Sequence, residues 1–241
     1  MKYFIDLHIH SALSPCADDD MTPNNIVNMA ILKKLDFIAI TDHNATGNVQ
    51  AAIECARGKD IIVIPGMEVQ SSEEVHMVCL FPTVQAANQM EQLVQQHLPK
   101  LDNRPDIFGY QILYDTNDEF VGYNNKLLVT ATSLSINAIK NEVEKLGGVT
   151  IPSHIDRKSF SIIANLGFIP EELEFSTVEI SKCTDRDKFL RENPDIGRYT
   201  IISNSDAHHL YDISEADESI EMADKTIDCL LNFLRNKKSI F

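Results

Sequence analysis

Histidines and carboxylates gather at the ends of short apolar runs along this chain. In Asp6-Leu7-His8-Ile9-His10, an alternating stretch that begins at Tyr3 sends His8 and His10 to one face of an extended backbone, so two imidazoles converge on one point. In Ser205-Asp206-Ala207-His208, after the run Tyr199 to Ile202, the same i, i+2 spacing sets a carboxylate beside an imidazole. Between these ends lie Asp42-His43, Pro65-Gly66-Met67-Glu68, His76 and Ser153-His154. Imidazole and carboxylate together form a donor set for zinc, manganese or iron, whereas an all-oxygen set would indicate magnesium or calcium. A single catalytic ion needs only about three or four protein ligands, and the candidates exceed that, so two or three ions are expected. His97, on a Gln-rich stretch, and His209 read as ordinary surface residues.

To bring these side chains together, the elements must end at a common place. Apolar strand-like runs alternate with amphipathic helical patterns, the signature of βα units and a largely parallel sheet. The predicted core strands are Tyr3 to His8, Phe37 to Thr41, Ile61 to Pro65, Val75 to Phe81, Val149 to Pro152, Thr177 to Ile180 and Tyr199 to Ile202, seven in all. Helices are expected from Thr22-Pro23, through about Ala56, over Thr83 to Leu98, over Leu134 to Leu146 with Gly147-Gly148 as its stop, and over the tail from Ser219 to Asn236. Parallel α/β sheets bind ligands at the carboxyl ends of their strands, and the polar residues fall there; only His76 precedes its apolar run.

The expected fold class is therefore α/β, as one domain over residues 1–241 with an insertion at about 83–132. Within it, the stretch from Leu101 to Thr130 holds Pro105, Gly109, Asn117, Gly122 and two extended runs, Tyr110 to Tyr114 and Lys126 to Thr130. It reads as an inserted hairpin or lid, either a surface excursion or a cover for substrate.

Bulk composition narrows the function classes. The 241 residues are 44% hydrophobic, enough for one substantial core. A net charge of -15 opposes capture of nucleic acid over a broad surface, and no strong basic patch stands out. Cys16, Cys55, Cys79, Cys183 and Cys229 are scattered and odd in number, which fits free thiols in a reducing compartment. No apolar run has the length of a signal segment or of the ~20 residues a membrane span needs, so a cytoplasmic protein is expected.

The ordered motifs D-L-H-I-H-S, I-T-D-H-N, P-G-M-E-V, E-V-H-M-V, G-G-V-T-I-P-S-H and S-D-A-H together resemble the polymerase and histidinol phosphatase (PHP) family. That resemblance implies a distorted seven-stranded, TIM-like β/α barrel and hydrolysis of phosphate esters at a trinuclear metal centre. Carried over by position, it implies one ion on His8, His10, Glu68 and Asp206, and a second on Glu68, His76 and His154. A third would sit on Asp18, His43 and His208. Here the chain departs from the family pattern: Ser14-Pro15-Cys16-Ala17-Asp18-Asp19-Asp20 replaces a Ser-Asp-Gly turn, and Asp19 or Asp20 could substitute for Asp18. After His154, where relatives read His-Pro, stand Ile155-Asp156-Arg157. Arg157 is the best nearby cation for a substrate phosphate, with Lys182 and Arg186 as weaker alternatives. Asp42 and Asp6 are expected to orient neighbouring histidines, as ligating imidazoles require.

The expected reaction is hydrolysis of a small phosphomonoester, nucleotide or oligonucleotide by a metal-activated water, since no G-x-S-x-G or comparable nucleophile loop is present. Two alternatives stand beside it. An amidohydrolase also uses H-x-H on a barrel strand. A non-catalytic, metal-stabilised module that binds a phosphorylated ligand is the other.

Overall fold

The computed structural model describes residues 1–236, and the core strands arise where the sequence places them. The first half of the chain forms β1 (Lys2–Ile9), α1 (Pro23–Leu32), β2 (Phe37–Ile40), α2 (Val49–Ala56), β3 (Ile62–Gln70), β4 (His76–Leu80) and α3 (Val84–His97). There follow α4 (Pro105–Phe108), β5 (Ile112–Tyr114), β6 (Phe120–Tyr123), α5 (Ile136–Lys145), β7 (Val149–Pro152) and α6 (Ile162–Leu166). The chain continues through β8 (Thr177–Ser181), α7 (Arg186–Glu192), β9 (Thr200–Asn204), β10 (Ser219–Glu221) and α8 (Ile227–Arg235).

Helix starts follow from local chemistry. The Thr22 hydroxyl accepts from Asn25 N–H with Pro23 at the first helical position, and Thr83 and Ser135 cap α3 and α5 in the same way. Apolar faces of α1 and α2 (Ile26, Val27, Ala30, Val49, Ala52) pack on Ile38 and Ile40. Those of α3 and α5 (Ala87, Met90, Ile139, Val143) pack near Met67, Met77 and Cys79. Leu230, Leu231 and Leu234 of α8 meet Ile5, Leu7, Phe37 and Ile64. Full burial of each such aliphatic side chain is worth about 1.5–3 kcal/mol, which fixes the strands beneath the helices.

The main sheet has the order β10-β1-β2-β3-β4-β7. Strands β1, β2 and β3 are parallel, but β4 is antiparallel to both β3 and β7, which corrects the expectation of a largely parallel arrangement. The reason is length: a parallel crossover needs about a dozen residues or more, and only Ser71 to Val75 join these strands, closed by Ser71 N–H on Val75 O at 2.9 Å. A second difference lies in the tail. Ser219 to Glu221 pairs antiparallel with the outer edge of β1, Ile220 opposite Tyr3, and the helix starts only after the Thr226 cap.

Strands β8 and β9 pair with each other in a separate two-stranded parallel sheet. The continuous seven-stranded barrel is therefore not formed as one ladder; a curled six-stranded sheet faces a pair. One side chain and two backbone bonds bridge the seam. Leu7 N–H donates to Asn204 Oδ1 at 2.8 Å, Ile155 N–H to Glu179 O at 2.9 Å, and His10 N–H to Ala207 O at 2.9 Å.

The segment after α3 forms the β5–β6 hairpin. The expected second run, Lys126 to Thr130, is not a strand; Leu127 and Leu128 turn inward and Leu128 N–H donates to Gln111 Oε1. Ile112 N–H donates to Ala12 O at 2.8 Å, and Asn48 brackets β5 by donating to Ile112 O and accepting from Tyr114 N–H. Among the described residues, no helix is long and apolar enough to cross a membrane.

Candidate metal centre

Every strand of the curled sheet from β1 to β7 delivers a polar side chain to one end. His8 lies on β1 and His10 just beyond it, His43 follows β2, Glu68 lies on β3, and His154 follows β7. Asp206 and His208 follow β9. His76 is the first residue of β4, and because β4 runs backwards, its start lies where its neighbours' carboxyl ends lie. The antiparallel strand thus explains why this histidine alone precedes its apolar run.

Glu68 sits among the imidazoles. Its Oε1 is 3.3 Å from His8 Nε2, 3.1 Å from His76 Nδ1 and 3.4 Å from His154 Nε2, and its Oε2 is 3.1 Å from His43 Nδ1. Asp206 Oδ1 stands 3.0 Å from His10 Nε2 and 3.3 Å from His8 Nε2. Three groups have donor atoms within 4.8 Å of one another: His8, His10 and Glu68; His43, Glu68 and His76; and His10, His43 and His208.

Tautomers show what these atoms lack. His8 Nδ1 faces both oxygens of Glu179 at 3.0 Å, so it carries a proton, and the neutral ring has its lone pair on Nε2. Ser14 Oγ donates to Asp42 Oδ1 at 2.7 Å and therefore accepts from His10 Nδ1 at 3.0 Å, which again leaves a lone pair on Nε2. The two Nε2 atoms are only 3.2 Å apart. With Glu68 Oε1 buried and without a hydrogen-bond partner, acceptors crowd a common point that a cation satisfies.

In the metal-free site the acids also charge the rings: burial opposes it, but Glu179, Asp206 and Glu68 raise His8 well above its ordinary value, so a cation at its Nε2 would displace a proton. Burial pushes Glu68 up, but the charges of His76 and His8 outweigh it and hold the carboxyl well below its usual range. Asp206 is likewise held far down, against burial, by His8 and His10. Burial opposes charge on His43, yet Cys16 and Glu68 beside it push it up to about 10. His10 is driven well below its ordinary value by burial and by His208 and His43.

The structure does not bring Asp18 into these groups. Asp18 N–H donates to His208 O, and the following turn directs the carboxylate outward, where Oδ1 accepts from Asp20 N–H and Oδ2 lies 3.5 Å from His209 Nδ1. Asp19 and Asp20 are exposed too. Cys16 lies against His43 and His208 instead; burial pushes its thiol up, but these imidazoles bring it down to about 6. Arg157 places Nη1 2.6 Å from Asp206 Oδ2 and Nε 3.3 Å from Ser181 Oγ, with its side chain 42% exposed. Asp42 touches no imidazole; its carboxylate accepts from Ser11 N–H, Ser11 Oγ and Ser14 Oγ and so reaches His10 through Ser14. Asp6 orients no histidine, because its oxygens accept from Ser205 and Ser214 N–H and pin the loop after β9. Lys182 bonds Asp212 O and Arg186 bonds Ile201 O, so both alternative cations are engaged elsewhere.

Sequence reasoning missed Glu179, which besides gripping His8 accepts from His154 N–H at 3.0 Å and Asn204 Nδ2 at 2.7 Å. A lone acid between Val178 and Ile180 in a strand buried on both faces was the available signal.

The chain is 35% identical over 74 residues to a 3',5'-nucleoside bisphosphate phosphatase of Chromobacterium violaceum, covering 31% of this chain and 25% of that protein. It is 35% identical over 80 residues to the 5'-3' exoribonuclease Rnm of Salmonella typhimurium, covering 31% and 26%. The match thus spans about a quarter of the length of these curated relatives. In fold it is similar to the lesion-specific endonuclease PfuEndoQ of Pyrococcus furiosus, with a TM-score of 0.68 at 17% identity over 98% of this chain and 56% of that one. Residues 6–146, more than half of the sequence and the part that supplies His8, His10, His43, Glu68 and His76, match the PHP domain model, and the chain belongs to the PHP domain family.

Proposed function

We propose that this chain hydrolyses phosphate esters with divalent metal ions held at the Glu68 centre. The observation that carries the proposal is the crowding of donor atoms around Glu68, His8, His10 and Asp206, with Glu68 Oε1 buried and without a hydrogen-bond partner. His8, His10, Glu68 and Asp206 would hold one ion, and Glu68, His76 and His154 a second. His43 and His208 would serve a third, with Asp18 requiring a movement of its loop to join them. Manganese, zinc and iron all suit the donors. Divalent ions supply charge against phosphoryl oxygens and acidify water at neutral pH.

The chain's own groups prepare the site. Glu179 and the Asp42–Ser14 pair hold the His8 and His10 rings, and Arg157, anchored on Asp206 and Ser181, would turn its remaining N–H donors to a phosphate oxygen. The strands β1, β2, β3, β4, β7, β8 and β9 are read as a distorted barrel in a single unit, with residues 83–132 inserted at its mouth. Relatives named for nucleoside bisphosphates and RNA point to nucleotide phosphates, and the net charge of -15 favours small ones. The five free cysteines fit a cytoplasmic setting.

Metal-stripped protein reloaded with manganese, zinc or iron and assayed on phosphomonoesters, mononucleotides, short oligonucleotides and amides tests this reading. Two or more ions per chain and chelator-sensitive release of phosphate are expected. Fewer than two ions with no such activity overturns it, and phosphate-ester binding without turnover identifies a binding module instead.

A further inference from the structure

Phe160 has a left-handed backbone, φ 56°, which a bulky side chain adopts only when its surroundings impose it. The surroundings do so here. Ser161 Oγ donates to Arg157 O at 2.7 Å, Arg157 N–H to His154 O at 2.9 Å, and His76 N–H to Phe160 O at 2.9 Å. Buried Ile155 and Ile162 anchor both ends of the segment.

This construction presses the Phe160 ring flat on His76, with centroids 4.7 Å apart and planes 14° apart. One ring face is thereby covered by a side chain of the metal centre. Yet the residue remains 43% exposed, so a large apolar surface stays open to water beside a polar site. Within three residues, the same loop supplies Arg157, whose guanidinium sits on Asp206. One short segment thus presents a cation and an aromatic ring at the rim of the cluster.

We propose that Phe160 is a substrate-positioning platform: its free ring surface stacks on the planar organic group, a nucleobase or aryl ring, of the ester whose phosphate the centre binds. This rests on the phosphoesterase reading above and makes aromatic esters better substrates than aliphatic ones. Stacking of a base on an aromatic side chain accounts for roughly tenfold or more in affinity.

The test compares adenosine 5'-monophosphate with glycerol phosphate on the full-length, metal-loaded protein and its Phe160→Leu, Phe160→Tyr and Phe160→Gly variants. The ratio of kcat/KM for the nucleotide to that for glycerol phosphate is expected to fall roughly tenfold in Phe160→Leu, mainly through KM, and to be restored in Phe160→Tyr. Phe160→Gly relieves the left-handed backbone, so its equal loss of preference with an unlowered Tm shows that misfolding is not the cause. Equal losses on both esters, or none, overturn the platform and leave Phe160 a support for His76. If wild type hydrolyses neither these esters nor the short oligonucleotides, the phosphoesterase reading fails. Binding of the nucleotide, measured by calorimetry, then decides for Phe160: about tenfold weaker in Phe160→Leu supports it, and unchanged refutes it.

Discussion

Both carboxylate oxygens of Glu179 lie 3.0 Å from Nδ1 of His8, and the same carboxylate receives the His154 N–H and the Asn204 amide. One buried acid from β8 therefore orients an imidazole on β1 and closes the seam between the two sheets.

Replacing Glu179 by Gln keeps one acceptor but puts a donor where His8 Nδ1–H points. Metal affinity is expected to fall about 10–100-fold, the usual effect of losing a partner behind a ligating histidine. Glu179→Ala strands three donors and is expected to cost about 3 kcal/mol or more in stability. Metal titration and urea melts check both, and an unchanged affinity in Glu179→Gln would refute the orienting role.

Cys16 yields a pH prediction. Its thiol is brought from 9.0 to about 6 by His208 and His43, which prevail over burial. Because the thiolate is the nucleophile, alkylation of Cys16 in metal-free protein should rise with pH to an inflection near 6, rather than near the ~8.5 of a free cysteine peptide. Mass spectrometry of the Cys16 peptide after timed iodoacetamide pulses measures this; an inflection at the free-peptide value contradicts the contact with the two imidazoles.

Asp42 carries the opposite sign of perturbation. Burial pushes its carboxyl up to about 6, partly opposed by the Ser11 and Ser14 hydrogen bonds. A folded value above the unfolded 3.8 means that its contribution to stability is full below 3.8 and declines as pH rises through about 6. Relative to the non-titrating Asp42→Asn, metal-free wild type should lose up to ~3 kcal/mol across that window and then level off. Denaturant melts at intervals of pH decide it, a flat difference being the contrary result.

Gly109 has φ +93°, and a Cβ there would stand 2.3 Å from Pro15 O, a backbone atom. Gly109→Ala is expected to destabilise by about 1–3 kcal/mol and to loosen the Pro15–Cys16 loop from the inserted segment. Hydrogen exchange over residues 11–22 should quicken, and protection equal to wild type would show that the contact is dispensable.

Much of the fold was legible because β1, β2, β7, β8 and β9 are apolar runs bounded by turn residues. What local pattern does not encode is strand direction: the run from Val75 to Phe81 reads identically either way, and only the shortness of the preceding turn reverses it. The helix expected from Ser219 begins late because Ile220 is taken by the free edge of β1, a tertiary demand that overrides periodicity. That His8, His10, His43, Glu68, His76, His154 and Asp206 lie together was legible from their places at strand ends. Asp18 could not be placed, since a loop's side-chain direction depends on a hydrogen bond to a residue 190 positions away, His208. Asp6 was read as a histidine partner because adjacency in sequence says nothing about which loop folds over a strand.

Reversing a single strand also constrains how this active end can vary. The link from Gln70 to His76 is a tight turn, with Glu74 at φ 59°, and both strands that it joins contribute donors. Lengthening it would swing His76 away from Glu68. The reversed corner is thus the hinge pin of the candidate centre, since Glu68 and His76 keep their distance only while it stays short.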